Sequence, residues 1–258
     1  MKSKTEIYFV GAGPGAPDLI TLRALKVLQS CDCCLYAGSL VPRAILSHLP
    51  QHALKYDSVD MVLDEIVDKM INWVREGKKV VRLHSGDPSI YGAIFEQMQK
   101  LDQAKINYQI IPGVNAFSAA AACIKRELTL PDISQSVVIT RVSVRSTSMS
   151  EYEKLENFAM TRATLAIHLS INSLAHIVRI LTPYYGADCP CVIAYRVGWP
   201  DQMFLYGSLD HIRQQVKAHK ITRTAIIFVG RVFADKPSNA QASKLYDSSH
   251  SHILRKRQ

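Results

Sequence analysis

The chain has 258 residues, of which 48% are hydrophobic and 21% charged, and its formal net charge is +9 at pH 7. This composition is that of a folded globular protein and excludes a chain that is disordered throughout. No apolar run approaches the length of a bilayer-spanning helix, and the first residues lack the charged-then-apolar pattern of a signal peptide. We therefore expect a cytoplasmic protein with no membrane partner.

The positive net charge first suggests a nucleic-acid partner. The lysines and arginines are scattered along the chain, however, and only Arg255-Lys256-Arg257 forms a tight run, which follows a polar segment. We expect no nucleic-acid binding, because an anionic small molecule explains a basic cleft at least as well.

Cysteine and histidine spacing does not indicate a metal site. The nine histidines lack a metalloprotease-like spacing, and the six cysteines lack the paired two-residue spacing of a zinc site. A cytoplasmic chain keeps its thiols reduced, so we interpret the cysteines as small buried hydrophobic residues and predict no metal bound by the protein. The cysteines are Cys31, Cys33, Cys34, Cys123, Cys189 and Cys191.

The first predicted strand, Ile7–Val10, ends in the glycine-rich turn Gly11–Gly15. This turn formally satisfies the dinucleotide-binding fingerprint, with alanine in place of the third glycine, so an oxidoreductase is the rival enzyme interpretation. Pro14 and Pro17 argue against it, because a pyrophosphate needs successive free amides at the helix N-terminus. The next strand also lacks a terminal acidic residue to hold a ribose, since it runs through Leu35–Gly38.

Apolar residues then recur at helical spacing from Val62 to Val74, and Gly77 follows as a stop signal. The pattern predicts a helix packed on the core. Strands and helices alternate in this way from residue 6 to about residue 111, which predicts a mostly parallel sheet with crossover helices. We expect residues 1–112 to form an N-terminal α/β domain.

A second strand, Val80–His84, runs into Ser85-Gly86-Asp87-Pro88, which we predict to open a helix. One explanation is purely structural, since Asp is a good N-cap and Pro is favoured at the first helical position. The other is functional, because α/β enzymes bind ligands where strands end. A third strand, Tyr108–Ile111, ends in Pro112-Gly113-Val114-Asn115. Glycine lets a ligand approach the backbone closely, so we expect the three junctions to line one cleft.

Residues 113–135 are predicted to connect two domains through an alanine-rich helix and a linker at Leu128–Ser134. Residues 136–232 predict a second α/β domain, whose sheet is mixed because Tyr195–Tyr206 has the pattern of an antiparallel hairpin. Residues 233–258 are polar and lack apolar periodicity, which predicts a disordered tail without a catalytic role. The strands predicted in this half are Ser136–Arg141, Thr164–Leu169, Cys191–Arg196, Gln202–Tyr206 and Ala225–Val229.

Five motifs together resemble one known family. They are Gly11–Gly15, Leu35–Leu40, Leu83–Gly92, Arg126–Pro131 and Ile221–Ala225. Over roughly residues 6 to 232 the chain resembles the S-adenosylmethionine-dependent tetrapyrrole methyltransferases of cobalamin and sirohaem synthesis. The second and third motifs further resemble the branch that methylates C11 of precorrin-4 or cobalt-precorrin-4. The related uroporphyrinogen methylases usually carry an acidic residue where this chain has Ala37, which argues against that substrate.

The resemblance implies the tetrapyrrole methylase fold of two α/β domains, a homodimer, and S-adenosylmethionine as the cofactor, with S-adenosylhomocysteine as its product. It implies a tetrapyrrole, precorrin-4 or cobalt-precorrin-4, as the substrate. Cofactor contacts are expected at Pro14, Ser85, Gly86, Asp87, Ile90, Asn115, Ala116, Leu169, Arg196, Val197, Thr224 and Ala225. Substrate contacts are expected at Gly11, Gly13, Gly15, Ser39, Arg82 and Arg126.

Methyl transfer from a sulfonium to an electron-rich carbon needs two reactants held in line more than it needs a general base. The sequence contains no evident catalytic dyad. If protons must move, the candidates are Tyr36, Asp57, His84 and Tyr91. Arginines suit substrate carboxylates because they form two parallel hydrogen bonds with them. Those near predicted strand ends or loops are Arg43, Arg82, Arg126, Arg141, Arg196 and Arg223.

Two other functions stay open from the sequence. One is another C-methylation step of the same pathway. The other is a protein without catalytic activity that binds a tetrapyrrole or nucleic acid.

Overall fold

The computed structural model describes residues 6–142 and 149–235, so residues 236–258 of the predicted tail lie outside the described residues. The predicted start of the tail at residue 233 is wrong, because Phe233 is buried and its ring centre lies 5.3 Å from that of Phe228. The chain divides into two compact units. The first contains the residues up to Ala119 together with Arg196–Asp201, and the second contains Ala120–Tyr195 and the residues from Gln202 onward. The predicted domain limits at residues 112 and 135 stay a prediction.

The first unit is built on a five-stranded sheet in the order β3-β2-β4-β1-β5. Its strands are β1 (Ile7–Gly11), β2 (Cys33–Tyr36), β3 (Leu54–Asp57), β4 (Val80–His84) and β5 (Tyr108–Ile111). Every pairing in it is parallel. The predicted parallel sheet is therefore confirmed, and all five strands end at the same edge.

Helices cover both faces of this sheet. They are α1 (Leu22–Leu28), α2 (Arg43–Leu46), α3 (Leu63–Arg75) and α4 (Phe95–Gln103). Helices α1 and α2 pack with Val10 and Leu83 on one face, and α3 and α4 pack with Phe9 and Val80 on the other. Successive strand residues point to opposite faces, so strands that are covered on both sides read as near-continuous apolar runs.

The helix predicted from the apolar spacing after Val62 is confirmed as α3. Its buried residues are Ile66, Val67, Met70, Ile71, Trp73 and Val74. Gly77 adopts a φ of 78°, the left-handed conformation that ends helices and that glycine enters without steric cost.

The second unit contains a five-stranded sheet in the order β6-β7-β10-β8-β9. Its strands are β6 (Val137–Arg141), β7 (Thr164–His168), β8 (Pro190–Tyr195), β9 (Met203–Ser208) and β10 (Ala225–Val229). The pair β6–β7 is parallel and the other pairs are antiparallel, so the predicted mixed sheet and the predicted hairpin are confirmed.

Four further α-helices follow β5 in the described residues. They are α5 (Ala116–Cys123), α6 (Leu155–Ala159), α7 (Leu174–Tyr185) and α8 (Ile212–Ala218). Short 3-10 turns occupy Pro17–Leu19, Glu151–Glu153, Ile171–Ser173 and Arg231–Phe233. Within the described ranges, no helix has the length and apolar character that crossing a membrane would require.

Five of the six cysteines are buried free thiols, as expected, but Cys123 is exposed at the end of α5. The expectation of burial is wrong at that position. Burial raises the pKa of the Cys31 thiol to about 12, which keeps it in the unreactive protonated form. No cluster of three or more metal-ligating side chains occurs among the residues that the structure describes.

Candidate active site

The connections of the first sheet place a crevice between β1 and β4. These strands are neighbours, with Gly11 in register with His84. The chain leaves β1 toward α1 on one face and leaves β4 toward α4 on the other. In α/β sheets, ligands bind outside the carboxyl ends of two such strands, where the connections diverge. The topology therefore favours the exits of β1 and β4 as the position of the predicted cleft.

Two glycine turns border this crevice and are bridged to each other. The Gly13 amide donates to the Gly86 carbonyl at 3.2 Å, and the Gly86 amide donates to the Gly13 carbonyl at 2.7 Å. Gly86 has a φ of 64°, and a Cβ built there would meet only the Val114 carbonyl oxygen, at 4.0 Å. The backbone at Gly86 therefore borders open space, which a ligand can enter.

The exit of β5 packs against the other two exits through bare backbone. A Cβ on Gly113 would lie 2.1 Å from the carbonyl oxygen of Gly86 and 2.9 Å from Cα of Gly11. A Cβ on Gly11 would in turn lie 2.6 Å from Cα of Gly113. These contacts leave no volume for a side chain, so close packing of the two turns requires glycine at both positions.

The Asp87 carboxylate joins the exit of β4 to the exit of β5. Its side chain is buried, one oxygen accepts a hydrogen bond from the Gly113 amide at 2.8 Å, and the other accepts one from the Ser89 amide at 2.8 Å. The Ser89 hydroxyl also donates to this carboxylate. Charge-assisted bonds of this kind are stronger than bonds between neutral groups, so Asp87 fixes the relative position of the two turns.

The prediction that Gly86-Asp87-Pro88 opens a helix is wrong. A turn follows Asp87, and α4 begins only at Phe95. The reason is that Tyr91 and Ala93 adopt φ values of 55° and 48°, which interrupt a right-handed helix. Ile90 and Tyr91 therefore lie in a non-helical segment after β4, and the Tyr91 side chain is 43% exposed.

Side chains hold the exits of β2 and β3 in place. The exposed Asp57 carboxylate, at the end of β3, accepts hydrogen bonds from the amides of Gly38 at 2.9 Å and Val59 at 3.0 Å. The Ser58 hydroxyl donates to the Tyr36 carbonyl at 3.1 Å and accepts a bond from Nη1 of Arg82 at 2.8 Å. Three neighbouring strands are thus connected through Arg82 and Ser58.

Arg82 and His84 are buried on the same face of β4, whereas the sequence suggested an arginine near a strand end or loop. Burial lowers the pKa of Arg82 to about 10, which leaves its guanidinium charged at neutral pH. Burial, and next the charge of Arg82, lower the pKa of His84 to about 3. His84 is therefore a neutral imidazole at physiological pH, and its Nε2 has no hydrogen-bond partner among the described residues.

The segment Arg196–Asp201 also belongs to the first unit. Nε of Arg196 donates to Oδ1 of Asp201 at 2.7 Å, and the guanidinium carbon lies 4.1 Å from the centre of the Trp199 ring. The cationic head of Arg196, a predicted cofactor contact, thus already has two partners within its own segment. Val197 is buried.

Three predicted cofactor positions lie in the second unit. Leu169 follows β7 with a φ of 55° and is 74% exposed, and Thr224 precedes β10 with a φ of 53°. Because β7 and β10 are antiparallel, the end of one and the start of the other share an edge of the sheet, together with Ala225. A left-handed conformation in a residue other than glycine costs about 1–3 kcal/mol and is frequent at functional sites.

The predicted substrate contact Arg126 also lies in the second unit, where its Nη2 is 3.5 Å from the Asp235 carboxylate.

The carboxyl edge of the first sheet brings most of the other predicted positions together. They are Gly11, Gly13, Pro14, Gly15, Tyr36, Ser39, Asp57, His84, Ser85, Gly86, Asp87, Ile90, Tyr91, Asn115 and Ala116.

Three residues that contribute contacts at this edge were not among the predicted site residues. Gly113 carried a signal, because it follows a strand in a Pro-Gly turn. Ser58 follows β3 and offers no local motif. Trp199 contacts a turn that is distant in the sequence, so no local pattern indicates its role.

The chain is similar to known proteins in sequence and in fold. Residues 6–213 match the family of Tetrapyrrole (Corrin/Porphyrin) Methylases. The chain is 47% identical to a precorrin-4 C(11)-methyltransferase of Rhodococcus erythropolis, over 88% of this chain and 92% of that protein. It is 43% identical to a cobalt-precorrin-4 C(11)-methyltransferase of Methanocaldococcus jannaschii, over 99% and 98%.

A solved structure gives the same result. It is that of a cobalt precorrin-4 methyltransferase, described as a cobalamin biosynthetic enzyme, and it superposes with a TM-score of 0.86 at 38% identity. The match covers 88% of this chain and 95% of the other. The sequence match, the relatives and the shared fold together identify this chain as a member of the tetrapyrrole (corrin/porphyrin) methylases.

Proposed function

We propose that this chain transfers a methyl group from S-adenosylmethionine to C11 of precorrin-4 or cobalt-precorrin-4 during corrin-ring synthesis. The observation that carries the proposal is the crevice between the exits of β1 and β4, where the backbone of Gly86 borders open space. The relatives support the substrate, since both printed names specify C11 of this macrocycle. The two names differ in whether the macrocycle contains cobalt.

The crevice fits S-adenosylmethionine in two respects. A cofactor with an amino-acid head and an adenosine needs close approach to the backbone, which Gly86 allows. The buried Nε2 of His84, without a partner among the described residues, lies at the end of β4 and offers a neutral hydrogen-bonding group. The residues of the first unit that would hold the cofactor are Pro14, Ser85, Gly86, Asp87, Ile90, Asn115, Ala116, Arg196 and Val197.

The further cofactor contacts proposed in the second unit are Leu169, Thr224 and Ala225. Their support is the left-handed backbone of Leu169 and Thr224, together with the exposed apolar side chain of Leu169. An apolar group held in a strained backbone next to water is typical of a ligand-binding surface.

When bound, S-adenosylmethionine supplies an electrophilic methyl group, and the nucleophilic carbon belongs to the macrocycle. The protein's main task is to hold both in line, which can account for roughly 7–11 kcal/mol of the barrier. The backbone contacts among Gly11, Gly86 and Gly113 suit that task, because they fix three turns with no flexible side chain between them. His84 is neutral at physiological pH, so it can accept or donate a hydrogen bond but cannot act as a cationic acid.

The tetrapyrrole carries several carboxylates, which a basic protein attracts. We propose that Gly11, Gly13, Gly15 and Ser39 contact it at the carboxyl edge of the first sheet. Arg82 and Arg126 complete the proposed set of substrate contacts. Arg82 stays charged although it is buried, so it contributes a positive potential at this edge.

A single-turnover incubation with methyl-labelled S-adenosylmethionine tests the function. Precorrin-4 and cobalt-precorrin-4 are offered separately, and the label is located in the product. Label at C11 is expected, and the preferred substrate shows whether cobalt enters early or late. Transfer to another carbon would assign a different methylation step, and tetrapyrrole binding without any transfer would indicate a binding protein.

We further propose that the protein acts in the cytoplasm as a homodimer. The support is its resemblance to biosynthetic tetrapyrrole methylases. Sedimentation equilibrium of the purified protein at micromolar concentration tests the dimer, and a mass equal to one chain would contradict it. Cell fractionation tests the location.

A further inference from the structure

A segment far along the chain packs against the first glycine turn. Within the first unit, a Cβ built on Gly15 would lie 2.5 Å from Cδ1 of Trp199 and 2.8 Å from the carbonyl oxygen of Val197. A Cβ built on Gly198 would lie 2.5 Å from the amide nitrogen of Ala16. The turn and the segment are therefore in contact through positions where neither side has room for a side chain.

The segment Arg196–Asp201 fixes the indole of Trp199 by its own contacts. The guanidinium of Arg196 lies over the Trp199 ring and is paired with Asp201. The Trp199 amide donates to the Arg196 carbonyl at 3.0 Å, which closes a tight turn, and Gly198 takes a φ of 78° inside it. A guanidinium that is stacked on an indole and paired with a carboxylate has little freedom, so the ring is held in place without a ligand.

The glycine turn is consequently held from two sides. At its start, the Ala12 amide donates to the His84 carbonyl at 2.7 Å, and Gly13 is bridged to Gly86. At its end, Gly15 rests on the indole of Trp199. Removing the indole takes away one of the contacts that hold this end of the turn, where Val197 and Gly198 remain, and leaves the other end attached to β4.

We propose that Trp199 is a positioning residue that holds the end of the turn Gly11–Gly15 in the conformation that receives the tetrapyrrole. The inference rests on the proposed function, in which Gly11, Gly13 and Gly15 contact the substrate. The exits of β4 and β5, which carry the proposed cofactor contacts Gly86 and Asp87, are held by separate hydrogen bonds to Gly13 and Gly113. Among the proposed cofactor contacts, only Pro14, Arg196 and Val197 lie in the turn Gly11–Gly15 or beside Trp199, so loss of Trp199 should affect the tetrapyrrole more than the cofactor.

The test compares Trp199→Ala and Trp199→Phe with Pro200→Ala, a control at the exposed next position of the same segment. We expect Trp199→Ala to raise the KM for the tetrapyrrole about tenfold, because a displacement of about 1 Å at a positioning group has effects of this order or larger. The Kd of S-adenosylhomocysteine, measured by calorimetry, should rise by a smaller factor than the KM for the tetrapyrrole, because most of the proposed cofactor contacts lie away from Trp199. Trp199→Phe keeps a ring beside Gly15 and should give a smaller rise in KM, and Pro200→Ala should give none.

Amide hydrogen exchange of residues 12–16 gives a readout that does not depend on catalysis. We expect faster exchange of this turn in Trp199→Ala than in the native protein, with unchanged exchange in Pro200→Ala. Unchanged exchange of the turn would overturn the proposal, as would a native KM in Trp199→Ala. If Trp199→Ala does not fold, Asp201→Asn, which weakens the pairing of Arg196, replaces it and should show the same changes to a smaller extent.

The two proposals fail in different ways. If the native protein transfers no methyl group to any tetrapyrrole, the proposed function fails, and hydrogen exchange still decides whether Trp199 holds the turn. If the native protein is active and Trp199→Ala retains both its KM and its slow exchange, only the role of Trp199 fails.

Discussion

The carboxyl edge of the first sheet is built in two different ways. On the side of β1, β4 and β5, the exits meet backbone to backbone through glycines. On the side of β2 and β3, the exits are joined by the side chains of Asp57, Ser58 and Arg82. Strand exits that lie equally close together should therefore respond differently to a substitution, depending on whether backbone or side chains make the contact. A backbone contact cannot give way, whereas the exposed Asp57 carboxylate can rotate into water.

The largest difference is expected between two glycine-to-alanine substitutions. An added Cβ would lie 2.1 Å from the Gly86 carbonyl oxygen in Gly113→Ala and 2.0 Å from the Asp57 carboxylate in Gly38→Ala. We expect Gly113→Ala to lower the free energy of unfolding by about 3 kcal/mol or more, since the backbone must move. Gly38→Ala should cost about 1 kcal/mol, since Asp57 can turn away with loss of one hydrogen bond. Urea denaturation measures both, and equal losses would contradict the comparison.

A second contrast concerns two carboxylates that each accept hydrogen bonds from two amides. Asp87 is buried and Asp57 is exposed. Asp87→Ala leaves two amides without an acceptor and should cost about 2–4 kcal/mol, because a buried unsatisfied group costs about 1–3 kcal/mol. In Asp57→Ala water replaces the carboxylate, so the cost should stay below about 1 kcal/mol. Urea denaturation measures both losses in the free energy of unfolding. A large loss in Asp57→Ala would show that the exposed carboxylate stabilises the edge as strongly as the buried one.

Acid should weaken the protein through two histidines, the buried His84 and the partly buried His168. Burial and the nearby Arg82 lower the pKa of His84 to about 3, and burial lowers that of His168 to about 4, both from 6.5. Between 6.5 and the folded pKa the unfolded state binds more protons, so stability is full above about pH 6.5 and falls as the pH is lowered. Each histidine contributes about 1.4 kcal/mol per pH unit within its window.

Thermal unfolding between pH 7 and pH 4 measures this dependence. We expect His84→Gln and His168→Gln each to flatten the curve, and the double variant to flatten it further. A native slope in the double variant would show that other groups cause the acid sensitivity.

The smallest effect on stability is expected for Arg82→Met. Among the described residues, no carboxylate lies within ion-pair distance of Arg82, whose guanidinium donates to Ser58. Replacing a buried charge by an apolar side chain of similar length is often neutral, so we expect a change below about 1 kcal/mol in the free energy of unfolding. A rise in the KM for the tetrapyrrole in this stable variant would support the proposed substrate contact, and an unchanged KM would limit Arg82 to connecting β2, β3 and β4.

The sequence predicted the sheets and helices better than the contacts at their edges. Alternating strands and helices define the parallel sheet, and apolar spacing defines α3, because both depend on local periodicity. The helix predicted after Asp87 was wrong because neither Tyr91 nor Ala93 belongs to a residue type that favours the left-handed conformation it adopts. The backbone contact of Gly11 with Gly113 joins residues far apart in the sequence. A glycine turn in the sequence does not indicate which other turn it will pack against.

The family was predicted with more success than the contacts at the candidate site. Motifs such as Leu83–Gly92 identified the family, since they combine a strand end with a turn of restricted composition. The engagement of Arg196 by Asp201 and Trp199 was not predicted, because pairing depends on which side chains converge after folding. The exposure of Cys123 was missed for the same reason, since residue type alone gives only an average burial.

The discontinuity of the first unit has a consequence for how the protein is made. Residues up to Ala119 leave the ribosome before Arg196–Asp201 are synthesised. At roughly 5–20 residues per second, the stretch from Ala119 to Trp199 takes on the order of 4–16 seconds to synthesise, and during all of it the turn at Gly15 lacks the indole that packs against it. A nascent chain stalled within that interval lacks Trp199, so its glycine turn should be more open to proteases than the turn of the finished protein.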